Sequence, residues 1–248
     1  MDIEKCRNFL KDNIRKYVDF SQTGQNRGVP VPPIEKPCPP GARIIPLPEP
    51  AGLKDKGNMP LREAIAGRKS VRRYNDEPIT EEELSFLLWA TQGPRSRVIN
   101  GHLFRTVPSA GCRHALETYL AVFRIGNLEK GVYRYLPLSH SLLHVSAAGN
   151  LEEKITDSTL GQSFAGESAV TFIWTTLPSR MEWRYGLAAH KVIALDAGHV
   201  CQNLYLACTA IGAGTCAIAA YDQEKADLLI KADGKEEFVI YMAPVGKK

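Results

Sequence analysis

The densest phosphate-seeking chemistry in this 248-residue chain is Arg68-Lys69-Ser70-Val71-Arg72-Arg73. Arginine offers a planar fork of donors matched to phosphate oxygens, lysine a point charge, and serine a hydroxyl donor. A solvated basic turn would have the same composition; four cations within six residues weigh against it. Two other segments are small enough for a flat ligand to approach the backbone. Pro108-Ser109-Ala110-Gly111 has a turn composition and follows a strand-like run at residues 103–107. Gly212-Ala213-Gly214-Thr215-Cys216-Ala217 matches G-x-G-x-x-A and continues into Ile218-Ala219-Ala220. A dinucleotide fingerprint needs a strand before it and a helix after it. Here a long helix precedes, so the motif is rejected and Gly212 reads as a left-handed helix cap.

Nothing in the sequence points to the other common chemistries. His140 and His144 stand four apart, but on a turn and a strand, so they share no helical face and no metal site is expected. There is no G-x-S-x-G and no P-loop. The charge balance, 31 basic against 27 acidic residues, is only +4. It is too weak and too local for a nucleic-acid footprint. No run of about 18 apolar residues predicts a membrane span. The charged start Met1-Asp2-Ile3-Glu4-Lys5 lacks the apolar stretch of a signal peptide. Six cysteines without a C-x-x-C spacing read as reduced thiols, and the expected location is cytoplasmic. With 44% hydrophobic and 23% charged residues, the composition is that of an ordinary globular chain.

The elements that must position these segments follow from periodicity. Residues 3–18 carry apolar side chains at helical spacing. Residues 21–56 hold nine prolines and read as an extended arm, docked in part through Ile44, Ile45 and Leu47. The compact part begins near Asn58, dividing the chain into 1–57 and 58–248. Asn58 and Pro60 open a helix that Gly67 ends. Thr80 and Glu83 form a capping box for a helix to Gln92. Strands are read at 118–124, 131–135 and 141–145, with a helix at 149–156. A strand at 169–176 is apolar on both faces. The helix at 187–211 carries two apolar stripes, one through Val192, Leu195, His199, Gln202 and Leu206, the other through Val200, Leu204, Cys208 and Ile211. Such a helix is buried within a domain or at a subunit interface. Cys201 and Cys208 share one face of it and read as core. A helix at 223–230 and a strand at 237–244 finish the chain, leaving Val245-Gly246-Lys247-Lys248 as a basic tail. The pattern is a mixed α/β or α+β sheet with packed helices.

Taken in order, these pieces resemble the FMN-dependent nitroreductase family, and more narrowly its SagB-type dehydrogenase branch. The strings that carry the likeness are RTVPSAGCRHALETYLAV, GVYRYLPLSHSLLHV, LDAGHVCQNLYLACTAIGAGTCAIAAYD and EEFVIYMAPVG, with the proline-rich arm before Leu61. The resemblance implies an α+β fold, a mixed sheet surrounded by helices in an intertwined homodimer, with FMN at the interface. It implies that Arg68, Lys69, Ser70 and Arg72 hold the FMN phosphate and ribityl chain. Pro108, Ser109, Ala110 and Gly111 would lie against the ring, and Ala217, Ile218, Ala219 and Ala220 beside its N5 edge. Lys247 or Lys248 would reach the phosphate.

The activity implied is oxidoreduction of a small molecule, with NADH or NADPH as possible reductant. Two alternatives accompany it: a SagB-type azoline dehydrogenase acting on a ribosomal peptide, and a flavin-binding module without turnover. Members of the branch that oxidise azolines carry a Lys-Tyr pair before the long helix. This chain has Arg184-Tyr185 there. Tyr185 is the candidate catalytic proton donor or acceptor, whereas Arg184 stays protonated and cannot act as a base.

Overall fold

In a computed structural model, which describes residues 2–53, 56–96, 98–99, 101–147 and 149–248, seven strands form one antiparallel sheet. They are β1 (Ile44–Pro46), β2 (Leu116–Val122), β3 (Gly131–Leu136), β4 (Ser141–Ser146), β5 (Val170–Thr176), β6 (Ala213–Thr215) and β7 (Phe238–Lys247), in spatial order β1-β4-β3-β2-β5-β7-β6. The helices are α1 (Ile3–Leu10), α2 (Leu61–Gly67), α3 (Glu81–Gln92), α4 (Leu151–Ser158), α5 (Phe164–Glu167), α6 (Ser179–Tyr185), α7 (Ala189–Ala210) and α8 (Gln223–Ile230). The architecture is α+β.

Side chains alternate across a strand, so β5 feeds two cores. Phe172 and Trp174 pack with Leu84, Leu87 and Leu88 of α3 and Val200 and Leu204 of α7. Ile173 faces the other way, with Ile155 of α4, Ile230 of α8, Tyr119 and Met242. The capping box forms as expected: Glu83 N–H donates to Thr80 and the Thr80 N–H to Glu83. Gly212 takes φ +72° just past α7, as a left-handed cap. Cys201 and Cys208 are both buried.

Some expectations fail for identifiable reasons. The first helix stops at Leu10, before the polar run Lys11-Asp12-Asn13, and a short 3-10 turn follows at Asn13–Tyr17. Asp and Asn favour caps and turns over helix interiors. Pro60, not Asn58, is the N-cap of α2, with no side-chain cap hydrogen bond. Residues 103–107 form no strand, although Leu103, Arg105 and Val107 point inward; their one β-bridge, among the described residues, is Pro94 to Arg105. The expected tail is instead the end of β7, because residues 213–215 form β6 and pair with it through Lys247. The first stripe of α7 is not buried within one chain, with Leu195 54% exposed and His199 and Gln202 at the surface.

The proline arm supplies edge strand β1. Its backbone, poor in internal partners, is satisfied by buried side chains. Arg105 donates to the Ile34 carbonyl at 2.9 Å, Glu117 accepts from the Lys36 N–H at 2.9 Å, and Ser85 donates to the Pro48 carbonyl at 2.6 Å.

Candidate functional site

Two clusters assemble around α7. The first centres on Tyr205. Its hydroxyl oxygen accepts from the Ala217 N–H at 2.9 Å and lies 3.1 Å from the Ser70 hydroxyl. With Tyr205 donating to Ser70, the Ser70 proton is left for an outside acceptor. The Arg68 guanidinium sits over the Tyr205 ring, 5.3 Å from its centroid. The basic segment is held as an extension of the sheet edge: Ser70 bridges Thr215 in parallel, and the Val71 N–H donates to the Thr215 carbonyl at 2.9 Å. Gly214 permits this approach, since a Cβ there would fall 2.6 Å from Val71. Arg72 lies over the Phe164 ring at 6.0 Å, while Gln162, two residues before Phe164, donates to the Ala220 carbonyl. Lys69, Ser70 and Arg72 are exposed and Arg68 half-buried. One rim therefore joins the basic segment to residues 217–220.

Within that rim the small residues differ. Ile218 is buried in the second core, and both its backbone polar groups bond Met242. Ala219 and Ala220 are exposed, and among the described residues their N–H groups make no hydrogen bond. Lys247 turns elsewhere: its ammonium donates to Glu83 of α3 at 2.6 Å and to the Ile211 carbonyl at 3.3 Å. Lys248 is exposed beyond the end of β7.

The second cluster centres on Asp196. Both carboxylate oxygens lie 3.3 Å from the Ala110 N–H, and the Ser109 side chain also bonds this carboxylate. Burial pushes its pKa up, against those two hydrogen bonds. Ser109 in turn accepts from the His114 N–H at 2.9 Å. Gly111 has φ +57°, and a Cβ there would lie 2.5 Å from Arg184 and 2.7 Å from the Tyr185 hydroxyl. The exposed Pro108 leads this turn. Tyr185 thus stands against the turn with a hydroxyl able to give or take a proton. The arm lies alongside: Gln25 accepts from Arg184 at 3.0 Å and donates through its N–H to the Trp183 carbonyl.

Asp196 and Tyr205 are nine residues apart, two and a half turns of α7 and about 14 Å along its axis. They therefore point to opposite sides of the helix. Among the described residues no hydrogen bond or ring contact joins Pro108–Gly111 to Arg68–Arg72. Sequence reasoning missed Asp196 and Tyr205. A carboxylate and a phenol on a largely apolar helix were the available signal.

The nitroreductase family profile matches residues 65–247, spanning α2 to β7 and both clusters. This chain belongs to the nitroreductase family. It is therefore an oxidoreductase by family. It is 34% identical over 202 residues to the Methanocaldococcus jannaschii protein named "Putative nitroreductase MJ1384", a match covering 79% of this chain and 95% of that one. The solved structure of "a putative nitroreductase" from Ralstonia eutropha superposes with TM-score 0.68 at 27% identity, over 88% of this chain and 98% of that one. The trifolitoxin-processing protein TfxB of Rhizobium leguminosarum bv. trifolii is 32% identical over 115 residues, 45% of this chain and 31% of TfxB. No helix among the described residues is long and apolar enough to cross a membrane.

Proposed function

We propose that this nitroreductase-family protein is an FMN-dependent oxidoreductase that works as a homodimer on a small-molecule substrate, with NADH or NADPH as reductant. The carrying observation is the placement of the two clusters on opposite faces of α7. A single chain separates the expected phosphate-binding segment from the expected ring-binding turn. A second copy crossing α7 would bring one chain's Arg68–Arg72 to the other's Pro108–Gly111. The exposed face of α7, with Leu195, Gly198 and His199, fits such a crossing. Unpaired cysteines fit a cytoplasmic setting.

The residues present fit FMN. Arg68, Lys69 and Arg72 offer charge to a phosphate of about two negative charges, and Ser70 offers a hydroxyl. The N–H groups at Ala219 and Ala220, without a hydrogen bond among the described residues, lie on exposed residues of that rim. Ser109, Ala110 and Gly111 present backbone held rigid by Asp196, and Lys248 is the nearer candidate of the two terminal lysines because Lys247 is paired with Glu83. Bound FMN would supply the hydride chemistry, and the protein position and electrostatics. Tyr185 would hold or move a proton at its hydroxyl, beside the ring-binding turn. Arg184, fixed by Gln25, would remain a cation that orients the turn.

The test is the visible spectrum of the purified protein, followed by NADH or NADPH without oxygen. A flavin spectrum that bleaches, then returns with an acceptor, is expected. A flavin that is bound but never reduced would favour the non-catalytic module, and a protein that cannot be loaded with FMN would overturn the reading. A second reading, azoline oxidation in a ribosomal peptide, draws on the TfxB match. The Arg184-Tyr185 pair weighs against it, and an azoline peptide left unchanged by the loaded protein would remove it.

A further inference from the structure

We propose that the space between the proline arm, strands β3 and β4 and the end of α8 is a binding site for a small organic oxyanion, held by Arg134 and Lys231. The cavity is about 280 Å³, small for a ligand pocket, and among its described lining residues no side chain is acidic. It lies on the far side of the sheet from α7: Arg134 pairs across the strands with Tyr119, which belongs to the α4–α8 core. It is thus separate from both clusters of the proposed flavin site.

Arg134 is 98% buried and lines this cavity with its bonding capacity largely unused. Nη2 donates to the Lys36 carbonyl at 2.8 Å and the Pro37 carbonyl at 3.1 Å, with Cys38 Sγ at 3.6 Å. Nε is buried with no partner, and Nη1 makes no hydrogen bond among the described residues. No described carboxylate comes within ion-pair distance of it. The neighbouring acids are engaged elsewhere. Glu237 takes the Lys36 ammonium and the Thr175 hydroxyl, Glu117 takes Arg180 and the Lys36 N–H, and Glu35 takes the Leu138 N–H.

A guanidinium removed from water without a counter-ion is costly, and an oxyanion in the cavity would return that cost. Lys231 provides the second cation. It stands in the left-handed conformation at the C-terminal cap of α8, its ammonium 3.3 Å from the Val145 carbonyl and without an acidic partner among the described residues. Pro37, Pro39 and Leu143 make the remaining wall apolar, which suits a short carbon chain behind the charged group.

Calorimetric titration of the full chain at saturating FMN, which fills the phosphate site proposed at Arg68–Arg72, tests this, with inorganic phosphate and sodium hexanoate as probes in chloride buffers of equal ionic strength. Saturable binding of at least one probe is expected. Binding of phosphate alone identifies a phosphoryl group, and of hexanoate alone a carboxylate. Lys231→Gln, at an exposed position, should weaken binding at least five-fold, and Arg134→Met should abolish it. Failure of both probes to bind would overturn the proposal. So would binding that survives both Lys231→Gln and Arg134→Met.

Discussion

The Tyr205 side of α7 is open and cationic, whereas the Asp196 side is closed around a buried carboxylate. Around Tyr205, Lys69, Ser70 and Arg72 are exposed, and one phenol ties their segment to Ala217. Around Asp196, a glycine-containing turn is held by a buried carboxylate, by the backbone of His114, and by the Arg184-Tyr185 pair that the arm braces. The first arrangement keeps donors available for an incoming charge. The second fixes a surface before any ligand arrives, which suits a group that must place a proton accurately. That the two face apart on one helix makes the proposed site a property of two chains.

The largest expected effect tests that separation directly. Arg68→Ala should be inactive at limiting FMN through its phosphate side, and Gly111→Val through its turn. Valine would be forced into φ +57° with its Cβ against Arg184 and Tyr185. Mixed in equal amounts and allowed to exchange, the two variants should recover about a quarter of wild-type turnover, because half the dimers are mixed and each carries one intact site. Mixed dimers that form without recovering activity would break the comparison and place a complete site in each chain.

Next in size, Tyr185→Phe should lower turnover about 100-fold with flavin content unchanged, the scale of a lost proton-transfer group. A parallel loss of flavin would make Tyr185 a binding residue instead. On the other face the signature should invert. Arg68→Ala should weaken FMN at least ten-fold, about 1.4 kcal/mol, with turnover preserved at saturating FMN. Unchanged affinity, read by fluorescence titration of the stripped protein, would remove Arg68 from the phosphate.

These contrasts also mark what was legible in the sequence. The Thr80–Glu83 capping box and the Gly212 cap are local devices, written within a few residues, and both form. The two stripes of α7 were legible as a pattern, and the exposed one still presents an unpartnered face. The central residues of the two clusters were not legible. Tyr205 matters because Ser70 lies 135 positions before it, and Asp196 because Ala110 lies 86 before it. The strand expected at 103–107 failed for the same non-local reason. Its inward position at 105 holds an arginine that bonds Gln92 and the arm rather than packing beside another strand. Lys247 looked like a loose basic tail, yet Glu83 at the start of α3 draws it into the sheet.

The smallest effect separates the faces by pH. His114 holds the Ser109 turn through its backbone, while its ring is buried among Arg105, Arg113 and Arg180. Burial first, then those three cations, push its pKa from the ordinary 6.5 to about 2, with a hydrogen bond to the Leu103 backbone opposing them. The folded imidazole therefore stays neutral where the unfolded one takes up a proton. Its contribution is fully present above pH 6.5 and is lost as the pH falls, by about 1.4 kcal/mol one unit below that value. His114→Gln keeps the backbone N–H to Ser109 and removes the titration. Urea midpoints at neutral pH and one unit below 6.5 should therefore differ less in the variant than in the wild type. Arg68→Ala, across α7 in the open cluster, should leave the wild-type difference intact. An acid sensitivity that His114→Gln does not reduce would show that the turn around Asp196 is not where this chain's charge is most tightly confined.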